Sequence, residues 1–314
     1  MNSDKAEHTI IAVSLFMIFV YVVVTIILLD TQADEVTLQT IVQNSAPSID
    51  SVYISDAQYG LIDNYSGGTI SGFTGGTTKT IHVNGIISDN NDENDISSVA
   101  VVFYRSDHSS AEACSADKND CYINNSAGSC TIDTTYGDST QAKFDCPLDL
   151  EYYIDPTNWT VYVKVEDQDL AYDTDSLVTK NVESFLSLNI PALIDFNTLA
   201  LGDQTTDSDN SEMIVTQYGN SLADLEVSGT DLTCSTFGTI PIGNVEWALS
   251  DVAYGNASGY DLTGIAVDTN IAIGLRTDDL NPVTKTLYWN MAIPVLGVKG
   301  TCAGTVIITT IIAE

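Results

Sequence analysis

Positive charge is scarce in this chain. Ten lysines and arginines stand against 43 aspartates and glutamates, a net charge of −33 over 314 residues. A field of that sign repels nucleic acid and anionic lipid headgroups, which argues against polyanion binding. It suits instead the solvated surface of a secreted or salt-adapted protein. Histidine is rarer still, with three in all. His8 abuts a hydrophobic run, His82 falls inside an alternating stretch, and His108 lies in a polar loop beside Asp107 and two serines. No nucleophile-elbow pattern accompanies His108, so a Ser-His-Asp triad has no support. A glycine-rich phosphate loop, a histidine pair spaced for zinc and a Cys-x-x-Cys pair are all missing. The expectation is a protein that is not an enzyme. Carboxylate pairs of the glycosidase kind are the one chemistry left open, and 43 acidic residues bring carboxylates together by chance.

What the chain does have is one long apolar run. Residues 9–29, from Thr9 to Leu29, hold no charge, glycine or proline. As a helix this run rises about 32 Å, enough to cross a bilayer. The following "LLDTQADEV" has no small-x-small cleavage site, so the run is expected to be retained rather than removed as a secretion signal. "DTQADEVTLQTIVQN" lacks helix breakers, with Leu38, Ile41 and Val42 at helical spacing, until "SAPSID" and Pro47 end the pattern. The expectation is one continuous rod over residues 1–46, an assembly or anchor helix that is apolar first and amphipathic after.

Beyond Pro47 the texture is of short alternating runs between Gly, Asn, Asp and Ser clusters. Segments 78–87, 96–104, 160–166 and 184–190 read as strands, and a second set follows at 213–218, 223–229, 270–275, 284–294 and 304–313. The fold class expected is a long hydrophobic α-helix followed by two all-β sandwich domains, residues 47–191 and 192–314. Six cysteines, Cys114, Cys121, Cys130, Cys146, Cys234 and Cys302, cluster four and two across that boundary. An even count without metal spacing suits disulfides in an oxidising compartment. Cys234 is expected to join Cys302, and the other four allow three connectivities. Sequons at Asn64, Asn124, Asn158 and Asn256 are candidate glycosylation sites on the same side of the apolar run.

Two acidic groups stand out. Asp89, Asp92, Glu93 and Asp95 occupy one turn, and Asp167, Asp169, Asp173 and Asp175 another. If the first half is a sandwich, these are loops at the same end of it. Asp89, Asp92, Asp95, Asp167 and Asp169 then form a candidate calcium site supplying some of the six to eight oxygens the ion needs. The competing reading is solvated turns, which Asp and Asn favour for backbone reasons.

Both halves resemble immunoglobulin-like surface modules. "VNGIISDNNDENDISSVAVVFY" is similar to a B strand, acidic turn and C strand, while "IDFNTLALGD", "VSGTDLTC" and "YWNMAIP" look like strand motifs of prokaryotic cell-surface sandwiches. The order of parts resembles archaeal type IV pilins and archaellins. A few residues precede "HTIIAVSLFMIFVYVVVTIILL", and an all-β headpiece carrying sequons follows. That resemblance implies a subunit of an extracellular filament, a homopolymer whose apolar segments pack together and whose precursor sits in the membrane. Thr9, Ile10, Val13, Phe16, Val20, Val22, Val24, Ile27 and Leu29 would be the packing positions. The alternative is a single-pass membrane-anchored adhesin.

Overall fold

The computed structural model describes residues 11–21, 38–125, 128–277 and 281–313. The chain divides into two compact units, Met1–Gln43 and Asn44–Glu314.

In the first unit the described helix covers residues 11–21. This corrects the expected rod. Eleven residues rise about 16 Å, roughly half a bilayer core, and among the described residues no helix is long and apolar enough to cross a membrane. Residues 38–47 are not helical. The physical reason lies in Leu38, Ile41 and Val42, which are 93%, 90% and 80% exposed. An amphipathic helix draws most of its stability from packing its apolar face. Here that face is left exposed, and Thr40, Ile41 and Val42 are β-branched and stiff at χ1. Of the expected packing positions, Thr9, Ile10, Val22, Val24, Ile27 and Leu29 lie outside the described residues. Val13, Phe16 and Val20 lie on the helix and are exposed.

The second unit is all β, in several sheets. Among the described residues its first module has nine strands: β1 (Ser48–Ser55), β2 (Thr69–Ile70), β3 (Lys79–Ser88), β4 (Ile96–Arg105), β5 (Cys121–Asn124), β6 (Thr131–Asp133), β7 (Gln141–Leu150), β8 (Asn158–Asp167) and β9 (Tyr172–Val182). They form one sheet in the order β1-β3-β7-β6 and another in the order β2-β9-β8-β4-β5. Pairing is antiparallel except for β2 with β9. The period-2 alternation of β8 buries Trp159, Val161, Val163 and Val165, which meet Ile81, Val83, Ile87 and Phe144 of the facing sheet in one core. Phe103 stacks on Trp159 with ring centroids 5.0 Å apart, and the buried indole donates to the Asp155 carbonyl at 2.9 Å. Gly85 is required in β3, between β1 and Phe144 of β7, since a Cβ there would stand 2.2 Å from the Ser51 carbonyl oxygen.

The second module comprises β10 (Leu188–Asn189), β11 (Ser211–Gln217), β12 (Ala223–Gly229), β13 (Leu232–Cys234), β14 (Thr239–Ile240), β15 (Val245–Ala248), β16 (Tyr260–Asp261), β17 (Val267–Asp268), β18 (Thr284–Met291), β19 (Cys302–Ala303) and β20 (Val306–Ile312). Its sheets run β10-β11-β18-β15-β16, β17-β12-β20 and β14-β13-β19. A separate core gathers Met213, Val215, Leu225, Val227, Trp247, Leu287 and Trp289. The change from one core to the other falls between Val182 and Leu186. Asn220, 1% exposed, fixes that junction. Its amide donates to the carbonyls of Ile154 and Glu183, and its oxygen accepts from the Phe185 N–H at 2.8 Å. Phe73 stacks on Phe185, and Arg276 lies over the rings of Tyr152 and Tyr153.

Three disulfides are formed: Cys114–Cys121, Cys130–Cys146 and Cys234–Cys302. Cys234 and Cys302 face each other across paired strands β13 and β19. Cys146 lies in β7 and Cys130 just before its sheet neighbour β6. Neither of these bridges joins facing sheets as the immunoglobulin B–F disulfide does.

Candidate functional site

The two acidic turns meet at one end of the first module. Asp89 stands one residue past β3, and Asp95 ends the short 3-10 turn before β4. Asp167 is the last residue of β8. The strand pattern explains the inward aim of two of them. Trp159, Val161, Val163 and Val165 bury alternate positions, and Asp167 is the next in that series. Asp89 likewise follows Val83 and Ile87 at even spacing. Both carboxylates are buried as a result, Asp89 at 1% and Asp167 at 0% exposure. Asp89, Asp95 and Asp167 each offer one ligand oxygen, and these lie within 4.8 Å of one another.

The hydrogen bonds in this cluster are unequally shared. Asp167 Oδ1 accepts from the N–H groups of Asp169 and Ala171 at 2.9 and 2.8 Å, and its Oδ2 accepts from Asn44 Nδ2 at 2.8 Å. Asp89 Oδ1 accepts from the Asn91 N–H at 2.8 Å, while the buried Asp89 Oδ2 has no hydrogen-bond partner among the described residues. No ion pair among the described residues involves Asp89, Asp95 or Asp167. Desolvation, followed by the like charges of Asp89, Asp167 and Asp169, holds the Asp95 carboxyl above its ordinary value. A carboxyl raised in the folded state favours folding at low pH, and that contribution is lost as pH rises through its folded value.

The other two residues of the expected calcium set are not brought into the cluster. Asp92 is exposed and caps the 3-10 turn, its Oδ1 accepting from the Asn94 N–H and side chain at 2.8 Å. Those bonds hold its carboxyl below the usual range. Asp169 is exposed on the β8–β9 turn.

A second carboxylate group, Asp107, His108 and Asp120, has a different character. His108 Nε2 lies 2.8 Å from Asp120 Oδ2, and the Arg105 guanidinium reaches Asp107 at 2.6 Å and Asp120 at 3.4 Å. This cluster already contains its cation. His82 Nδ1 lies 2.8 Å from the buried Asp145, with no serine or cysteine nucleophile in the pair.

The sequons differ in accessibility. Asn64, Asn158 and Asn256 are exposed. Asn124 is half-buried at the end of β5, and its Nδ2, the atom a glycan would take, donates to the Pro147 carbonyl at 2.8 Å. Glycopeptide mass spectrometry of native material is expected to find sugar at Asn256 and none at Asn124. Sugar at Asn124 would mean that modification precedes closure of β5 against β7.

The apolar helix completes the inventory. Ile11, Val13, Leu15, Phe16, Met17, Ile18 and Phe19 are all more than half exposed, from 51% to 68%. Compared with known proteins, the chain matches no family model and no curated sequence.

Proposed function

We propose that this protein is a structural subunit of an extracellular, type IV pilus-like filament. It polymerises through its apolar N-terminal segment, and the acidic β unit forms the solvent-facing coat. The observation that carries this reading is the helix at 11–21, apolar on every face, with Ile11, Leu15, Phe16, Ile18 and Phe19 each more than half exposed. Burying one such side chain is worth about 1.5 to 3 kcal/mol relative to water, so a run of them cannot stay wet outside a cell. Lipid covers it before assembly, and identical segments replace lipid in the polymer, since lipid and protein interiors are similarly apolar. Three disulfides suit the oxidising compartment in which such a filament works.

Electron microscopy of material sheared from intact cells, with antibodies to the β unit, tests the reading. Decorated filaments are expected, and deletion of residues 1–43 is expected to leave a folded, dispersed β unit. Protein recovered only as detergent-dispersed monomers, with no polymer on cells, would assign the segment to a membrane anchor and the chain to a surface adhesin.

A further inference from the structure

We propose that Asp89, Asp95 and Asp167 bind a calcium ion, which ties the β3–β4 and β8–β9 turns together and fastens the first residues of the β unit. Three observations lead there. The first is geometric. Three oxygens within 4.8 Å of one another leave a central point at most about 2.8 Å from each, close to the calcium–oxygen distance. The second is the partnerless Oδ2 of Asp89, in a residue only 1% exposed. A buried carboxylate oxygen without a hydrogen bond is costly, and a cation is the partner that removes the cost. The third is the contrast with the Arg105 cluster. There a guanidinium neutralises the carboxylates, whereas no Lys, Arg or His of the described residues pairs with Asp89, Asp95 or Asp167.

Calcium fits better than magnesium. Magnesium demands octahedral geometry at about 2.0–2.1 Å and keeps several waters, while calcium accepts irregular sets of protein oxygens. Two of these three carboxylates are buried, which leaves little room for a hydration shell.

The cluster also grips the start of the β unit. Asn44 donates to Asp167 Oδ2, and Ser45 donates through both its N–H and its hydroxyl to Asn91 Oδ1 at 2.9 Å. Asn91 in turn donates its N–H to Asp89. An ion that fixes Asp89 and Asp167 therefore fixes the acceptors that hold Asn44 and Ser45. Emptying the site is expected to loosen the chain just before β1.

The test uses the full chain, stripped with chelator and then titrated with calcium or magnesium chloride. Saturating calcium is expected to raise Tm by about 5 °C, because a ligand bound only to the folded state stabilises it. Magnesium at the same concentration is expected to do much less. Calcium is also expected to slow protease cleavage near Asn44 several-fold. Asp89→Asn and Asp95→Asn should each abolish the Tm response while Asp92→Asn keeps it. Asp95 is the less buried of the two and serves if Asp89→Asn does not fold. An unchanged wild-type melting curve and cleavage rate would overturn the proposal. So would a calcium response retained by both variants, and equal stabilisation by magnesium would overturn the choice of ion.

Discussion

Replacing Cys234 and Cys302 together by serine is expected to lower the unfolding free energy of the second module by about 4 kcal/mol. The bridge closes a loop with a sequence separation of 68 residues, and the chain entropy it removes from the unfolded state grows with the logarithm of that length. The native side offers little to replace it. β13 has three residues, and β14 and β19 two each, so their ladder is too short to hold itself. Opening Cys114–Cys121, with a separation of 7, should cost only about 2 kcal/mol on the same argument. Urea titration followed by tryptophan fluorescence reads both, because Trp247 and Trp289 report the second core and Trp159 the first. An unshifted second-module midpoint in the double serine variant would show that the bridge constrains nothing the strands do not already hold.

The second large effect is expected from a single charge on the apolar helix. Phe16→Asp places a carboxylate where every neighbouring position along residues 11–21 is apolar or small and uncharged. In a filament interior that carboxylate would have no partner. The penalty is several kcal/mol per subunit, repeated along the polymer. Sedimentation of polymer from detergent-free preparations should therefore fail for Phe16→Asp, and electron micrographs should show no filaments. Ser109→Asp adds the same charge at an exposed loop position of the first module and is expected to leave assembly intact. Filaments of normal length from Phe16→Asp would remove this helix from the polymer core.

Strands with clean alternation were legible. β12 coincides with the segment 223–229 marked from the sequence, and β3, β4, β8, β11, β18 and β20 lie within a few residues of their expected positions. Among the longer strands, β1, β7 and β9 escaped, the last two because their side chains disguise the period. β7 carries Lys143, Asp145 and Pro147, and β9 is rich in Asp and Thr. The reverse error fell at 184–190, where only Leu188–Asn189 is strand, and at 270–275, where Asn270 and Ala272 take positive φ of 52° and 49°. Two left-handed residues cannot sit in a continuous strand, and only an isolated bridge from Ile273 to Ala223 forms. The expected rod failed because helical spacing at Leu38, Ile41 and Val42 says nothing about whether a partner is present to cover them. At the acidic cluster, proximity in sequence suggested five carboxylates, while strand parity selects more sharply. Asp167 continues the inward series of β8 and Asp89 that of β3, and this signal was already present in the alternation.

The order of pairing along the chain also bears on how the protein is made. Every strand of the first module is present once Val182 has emerged, and its four cysteines lie between residues 114 and 146. The second module is different. β12 pairs with the late strand β20, Ala223 opposite Ile312, and Cys234 must wait for Cys302. Chains emerge N-terminus first and modules close as units. The early module can therefore form both of its bridges while Cys234 is still being synthesised. Once those bridges have closed, the four earlier cysteines offer Cys234 no free thiol, and its partner Cys302 follows 68 residues later. The succession of strands acts as a kinetic guard against scrambled disulfides.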